Sequence, residues 1–314
     1  MEERSLQDKL SQIISWNATH KHDFTIGTHW DMINDPNRNE FYNELLQECK
    51  DKVVIDVGFG TGILSMLALK HGATLVYAYE MCHSTYLLGK HIIQKLGLED
   101  KIILTNAKFD ADSGYWIGSK MGPDDAIIIH EIVGCSLWDE DLICLNNIAD
   151  TRQVVPNIFN ATIYAMEKPD DINFKNFNPP KQIFNPGVDL GNNHYINLMQ
   201  NIVDDYYISR TQKFSPFFEY PYVQRENGYD GHGDYVEVGS YTFDINKDNI
   251  PKDIVVDLDI YGKDIVIWAE YAMNNFRMTK PSWKNAKAVL CTDLPKDSSF
   301  IQNTGTGTWW IKCP

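Results

Sequence analysis

Two glutamates nine positions apart, Glu131 and Glu140, lie in the stretch His130-Glu-Ile-Val-Gly-Cys-Ser-Leu-Trp-Asp-Glu140. A guanidinium is a planar fork of N–H donors that meets carboxylates in paired, charge-assisted hydrogen bonds. Two acids facing one small cavity therefore suit such a cation. Each acid also has an ordinary reading, Glu140 as an exposed acid at a helix start, where the dipole favours it, and Glu131 as a strand-end acid. Upstream, Val53-Val-Ile-Asp-Val-Gly-Phe-Gly-Thr-Gly62 reads as a strand entering a glycine-rich turn and then a helix. Glycines at 58, 60 and 62 let the backbone turn tightly and approach a ligand closely. Glu80 ends the next apolar run, Tyr77-Ala-Tyr-Glu80, and a carboxylate there can accept both ribose hydroxyls of a nucleoside. That position serves NAD equally well. The GxGxG spacing and the acid at Asp56 ahead of it favour S-adenosylmethionine. Asp110, after the third apolar run, suits an acceptor for an adenine amino group and a solvated loop acid equally.

The elements needed to position these groups are legible. Leu6, Leu10, Ile13 and Ile14 fall at helical spacing in residues 5–16, and a second helix over 36–48 opens with Asp35-Pro36, Pro being at home in a first turn. From residue 52, short apolar runs alternate with amphipathic segments: Val53 to Val57, Gly62 to Lys70, Leu75 to Tyr79, Ser84 to Leu96, Ile102 to Leu104 and Ala126 to His130. This is the βαβ rhythm of a parallel sheet. After about residue 153 the rhythm stops. Runs such as Tyr235 to Phe243, Ile254 to Tyr261 and Ile265 to Tyr271 predict a mostly antiparallel second domain of barrel or sandwich type. Asp170 to Pro186, rich in Asn, Phe and Pro, reads as an exposed loop or a docking arm.

A chain of 314 residues exceeds a typical single domain, so two domains are expected. The composition, 43% hydrophobic and 12% aromatic, is that of a globular protein. No apolar stretch approaches the roughly 20 residues of a membrane span, and no secretory signal is readable at Met1-Glu-Glu-Arg-Ser. Cys49, Cys82, Cys135, Cys144, Cys291 and Cys313 are scattered without a CxxC pair or a His grouping at metal-ligand spacing. Reduced thiols in a cytoplasmic setting, or a nuclear one, and no metal are expected. The net charge of -15 argues against a duplex nucleic-acid partner, which would need clustered Lys and Arg, and favours encounter with basic molecules.

The segment Gly27-Thr-His-Trp-Asp-Met-Ile-Asn-Asp-Pro-Asn-Arg-Asn-Glu-Phe-Tyr42, the glycine loop, Glu80 and the double-glutamate loop follow one another in an order and spacing that resemble the protein arginine methyltransferase family, in particular its branch with Asn-Asp-x-x-Arg-Asn in the first motif. The resemblance covers residues 24–167 well and 168–314 loosely. It implies a Rossmann-like, S-adenosylmethionine-binding domain over residues 1–153, then a β-barrel substrate domain over 154–314. An arm near 170–186 would serve a homodimer. By motif position Arg38 would pair with the methionine carboxylate, Asp56, Gly58, Gly60, Gly62, Glu80 and Asp110 would complete the cofactor site, and Met32 would pack beside the sulfonium. Glu131 and Glu140 would hold an arginine guanidinium carried by a protein, peptide or small molecule. Trp283, in Lys280-Pro-Ser-Trp-Lys-Asn285, matches the family's Thr-His-Trp loop.

Departures accompany the match. Ser282 stands where the family commonly has His, which leaves Asp35 to cap or hold the first motif. His20, Lys21, His22 and Asp23 replace the usual aromatics before Phe24, and His29 reads as structural. A catalytically inactive partner of a homologous enzyme is the competing expectation, and methylation of another nucleophile a third.

Overall fold

Asp35 and Pro36 open the first helix as their types dictate. In the computed structural model of the chain, the Asp35 carboxylate accepts from the amides of Asn37 (3.0 Å) and Arg38 (3.3 Å), capping α1 (Pro36–Leu45). The helix passes into a 3-10 turn over Leu46–Cys49. The structure describes residues 29, 32–107, 115–116, 119–120, 125–133, 142–145, 152–167, 189–192, 194–195, 198–199, 236–274, 276–277, 289–304 and 309–314. The helix expected over 5–16 and the arm expected over 170–186 lie outside them.

The alternating segments build a parallel sheet. Strand β1 (Val53–Val57) leads to α2 (Ile63–Lys70), β2 (Leu75–Tyr79) to α3 (His83–Leu96), and β3 (Ile102–Thr105) follows. A short pairing of β4 (Tyr115–Trp116) with β5 (Ser119–Lys120) precedes β6 (Ile127–His130), and β7 (Val154–Val155) completes the sheet. Its strand order is β3-β2-β1-β6-β7, parallel throughout. The central strands are apolar on both faces because helices cover parallel sheets on both sides, and Val54, Ile55, Val76, Ile128 and Ile129 are fully buried. This is a Rossmann-like arrangement of a parallel sheet and its helices. Helix α3 buries Ser84, Thr85, Leu88, Gly89, Ile92 and Ile93 at the three-and-four spacing of one face and stops at Gly97, whose φ of 65° ends a helix readily.

Beyond residue 156 the pairing turns antiparallel. Strands β8 (Ile158–Glu167), β9 (Val236–Asp244), β11 (Gly262–Met273), β12 (Phe276–Arg277) and β13 (Val289–Leu294) form one sheet, with β8 between β9 and β11. Strands β10 (Asp253–Asp257), β14 (Ser299–Asn303) and β15 (Trp309–Lys312) form another. Here alternation replaces the continuous apolar run: Ile254 and Val256 of β10 point inward while Asp253, Val255 and Asp257 face out. The strand expected over Ile254 to Tyr261 ends at Asp257, because the Asp259 amide turns instead to the Val238 carbonyl of β9 (3.4 Å). The chain divides into two compact units, the first up to Glu131 with 151–155 and 180–217, the second comprising the rest.

Candidate active site

In the parallel sheet β1 has β2 on one side and β6 on the other, so the turns after β1 and β6 run to opposite faces. A crevice opens at the carboxyl ends of such strands. The turn after β1 is the glycine loop. Gly58, Gly60 and Gly62 have φ of 84°, 56° and 84°, a region that side chains disfavour. Space is the second constraint: a Cβ on Gly62 would stand 2.5 Å from the Phe59 ring, and one on Gly60 would stand 3.1 Å from His29 Cε1. The amides of Gly58 and Phe59 donate to the Tyr79 carbonyl (3.0 and 2.9 Å), fixing the loop to the tip of β2.

Glu80 follows directly on that tip and is 7% exposed. Its Oε2 accepts from the Gly60 amide (2.9 Å) and its Oε1 from the Cys82 amide (2.8 Å). Two backbone amides thus aim the carboxylate, and a carboxylate of this kind can accept from ligand hydroxyls. Asn106 secures the same turn from β3 by donating to the Glu80 carbonyl (2.8 Å). Asp56, buried one residue short of the end of β1, accepts from Ser65 Oγ at 2.5 Å through Oδ2. Its Oδ1 is buried and has no hydrogen-bond partner among the described residues. Burial, then the charges of Glu80 and Glu131, push the Asp56 carboxyl up to about 7, against the Ser65 hydrogen bond that favours its ionised form.

A second layer lies at the end of β6. Arg38, 2% exposed on α1, sets its Nη2 2.8 Å from Oε2 of Glu131 and its guanidinium 5.3 Å from the centroid of the Tyr42 ring. Its Nη1 reaches the Met32 carbonyl (3.4 Å), and the Tyr42 hydroxyl donates to the His130 carbonyl (3.2 Å). The Arg38–Glu131 ion pair and the Tyr42–His130 hydrogen bond thus tie α1 to the end of β6. Burial opposes the Arg38 charge, but Glu131, Tyr42 and Asp35 together outweigh it and hold the guanidinium above its ordinary pKa. Burial raises Glu131 while the adjacent guanidinium counteracts that rise. Burial and the Arg38 charge drive His29 down to about 4, so the imidazole against Gly60 is neutral at neutral pH.

Of the residues singled out in the sequence, Arg38, Asp56, Gly58, Gly60, Gly62, Glu80 and Glu131 come together here, and Met32 contributes its carbonyl while its side chain is half-buried. Asp110, Glu140 and Trp283, with Ser282, lie outside the described residues. Asp35 caps α1. Sequence reasoning assigned Arg38 and Glu131 to different partners, whereas the structure bonds them to each other. It also missed Tyr195, whose hydroxyl donates to the Thr61 carbonyl (3.2 Å) across 134 positions. No local pattern announces that bond.

The donor set fits S-adenosylmethionine. It combines a glycine cradle without Cβ atoms, a carboxylate aimed by amides, an orphaned buried carboxylate oxygen for a cationic ligand and a buried guanidinium. Among the described residues no group of three or more His, Cys, Asp or Glu could hold a metal ion.

Known proteins bear on this site. No family model matches the chain. Protein arginine N-methyltransferase 1 of Saccharomyces cerevisiae is 35% identical over 118 residues, 35% of this chain and 34% of that protein. Protein arginine N-methyltransferase 9 of Homo sapiens is 34% identical over 119 residues, 37% of this chain and 14% of that protein. The chain thus spans about a third or less of the length of these two relatives. The crystal structure of PRMT6 with SAH superposes over 92% of this chain and 99% of its own, with a TM-score of 0.55 and 14% identity, a likeness of fold.

Proposed function

We propose that this chain, a member of the protein arginine N-methyltransferase family, transfers the methyl group of S-adenosylmethionine to a guanidino nitrogen of arginine in a protein, peptide or small molecule. The observation that carries the reading is the Glu131 carboxylate, 11% exposed, directly after β6, the strand next to β1 and its glycine loop. When bound, S-adenosylmethionine supplies an electrophilic methyl group on a sulfonium. Glu80 holds the ribose hydroxyls, Asp56 Oδ1 faces positive charge, and Arg38 holds a carboxylate. A guanidinium has five N–H donors, so Arg38 can serve that carboxylate and Glu131 together.

The charge balance gives the two glutamates different parts. Glu131 is already matched by Arg38, so an entering arginine brings a second buried cation to the same carboxylate. Glu140 supplies the compensating charge, without which that cation would be strongly disfavoured. Protonated arginine is a poor nucleophile because its lone pairs are delocalised. Carboxylates localise positive charge on the nitrogens they contact, which leaves the remaining nitrogen better able to attack the methyl carbon. Alignment and electrostatics carry most of the rate, with proton loss accompanying or following transfer.

The two antiparallel sheets are taken as the substrate barrel. Gly239 of β9 supports this, since a Cβ there would stand 2.3 Å from Val256 of β10. A homodimer is proposed as the working form, and sedimentation at micromolar concentration checks it.

The test of the reaction is mass spectrometry of arginine, arginine-rich peptides and cell extract after incubation with methyl-labelled cofactor. Label on a guanidino nitrogen is expected, and label on histidine or an amine instead overturns the reading. Glu131→Gln and Glu140→Gln should each lose roughly 100-fold or more in turnover while calorimetry still detects cofactor binding. Either variant working at the parent rate ends the clamp assignment.

A further inference from the structure

We propose that Tyr195 is a positioning residue for cofactor binding: its hydroxyl holds the Thr61 carbonyl and with it the conformation of the glycine loop. The identity of the cofactor rests on the function proposed above. The bond itself rests on geometry.

Helix α2 begins at its cap Gly62, whose carbonyl accepts from the Met66 amide (2.9 Å). The Thr61 carbonyl lies one residue ahead of that first bond, and Thr61 is 2% exposed. A buried carbonyl needs a donor. The Tyr195 hydroxyl lies 3.2 Å from this oxygen and 3.5 Å from Thr61 Oγ1. Tyr195 is fully buried, and burial raises its hydroxyl well above the ordinary range, so it stays a donor at any working pH. The Thr61–Gly62 peptide joins the left-handed turn to the helix. Fixing its carbonyl fixes the plane of the peptide whose Gly62 amide donates to the Phe59 carbonyl (2.8 Å) and closes the glycine turn.

The segment bearing Tyr195 is itself anchored. Lys70 of α2 donates to the Asp189 carbonyl and to Asn43 Oδ1 (3.2 Å). Asp189 Oδ1 accepts from the Gly191 amide (2.8 Å), Asn192 Oδ1 accepts from the Tyr195 amide (3.1 Å), and Leu190 and Met199 are each 1% exposed. One clip therefore grips both ends of α2, Lys70 at its last turn and Thr61 ahead of its first.

The test is Tyr195→Phe, which keeps the ring and removes the hydroxyl. S-adenosylhomocysteine binding by calorimetry should weaken about fivefold, the loss of one hydrogen bond, and the KM for S-adenosylmethionine should rise in step. At saturating cofactor, kcat on an arginine peptide should stay within about twofold, since the bond serves binding and not the transfer. The control is Tyr271→Phe, which removes a buried hydroxyl bonded to Gln302 in the second unit and should leave cofactor affinity unchanged. Should Tyr195→Phe not fold, Lys70→Met loosens the same segment from its anchor and should shift affinity in the same direction. Unchanged affinity in the folded Tyr195→Phe protein, or a fall in kcat with affinity intact, overturns the proposal. Failure of the parent chain to bind S-adenosylhomocysteine overturns the function proposed above instead.

Discussion

A buried guanidinium, Arg38, and a carboxylate only 11% exposed, Glu131, stand 2.8 Å apart as counter-ions, and neither is tolerable alone. Arg38→Met should therefore destabilise the chain by about 3–5 kcal/mol. Glu131→Gln in the same chain should recover part of that loss, because the stranded carboxylate is then gone. Urea denaturation of the parent, both single variants and the double variant measures the coupling, and strict additivity would contradict it. Asp56 makes a different statement. Burial raises its folded-state pKa from 3.8 to about 7, so the folded chain retains a proton that the unfolded chain releases. Its contribution to stability is complete below about pH 4 and is lost as pH rises to about 7. Asp56→Asn removes this titration and should gain stability over the parent progressively between those limits, then level off. Denaturation at pH 5, 6, 7 and 8 checks the trend, and a gap that shrinks with rising pH reverses the sign. Cofactor affinity in the parent should rise through the same window, because a cationic ligand favours the ionised carboxylate.

At the scale of elements, Phe59 explains two glycines at once. Its ring lies where Gly62 and Gly89 would each carry a Cβ, at 2.5 and 2.6 Å, and Leu104 crowds Gly89 at 2.9 Å. A glycine inside α3 is unfavourable by roughly 0.5–1 kcal/mol relative to alanine, and close packing of the helix on the glycine loop is the return. Gly89→Ala should therefore lower stability by about 1–3 kcal/mol despite the better helix former, and Phe59→Leu in that background should restore part of it. Thermal midpoints of the parent, the single and the double variant decide this, and a stabilised Gly89→Ala protein would show that the loop yields easily. The elements themselves were largely legible. The runs Val53 to Val57 and Leu75 to Tyr79 are β1 and β2 residue for residue, because a strand buried on both faces is nearly all apolar, Asp56 being the exception in β1. The run from Ile254 makes a shorter strand than its residue types suggest, since Leu258, Ile260 and Tyr261 suit a strand while the Asp259 amide bonds to another strand's carbonyl.

At the scale of the whole molecule, two compact units predict unfolding in more than one step. S-adenosylhomocysteine should raise the midpoint of the unit holding the glycine loop and leave the other unchanged, as ligand linkage requires. Calorimetric scans with and without the compound test this, and a common shift of one single transition contradicts it. By itself the sequence determined what depends on neighbours along the chain: the glycine turn, the Asp35 cap, the parallel rhythm giving way to alternation, and the acids standing at strand ends. Those follow from local sterics and side-chain periodicity. The tertiary structure decided the partnerships. Tyr42 with His130 spans 88 positions and Tyr195 with Thr61 spans 134. Arg38 meets Glu131 because α1 crosses the end of β6. Which distant groups share a desolvated space is set by strand order, and only burial at that edge makes an ion pair or an orphaned carboxylate oxygen consequential.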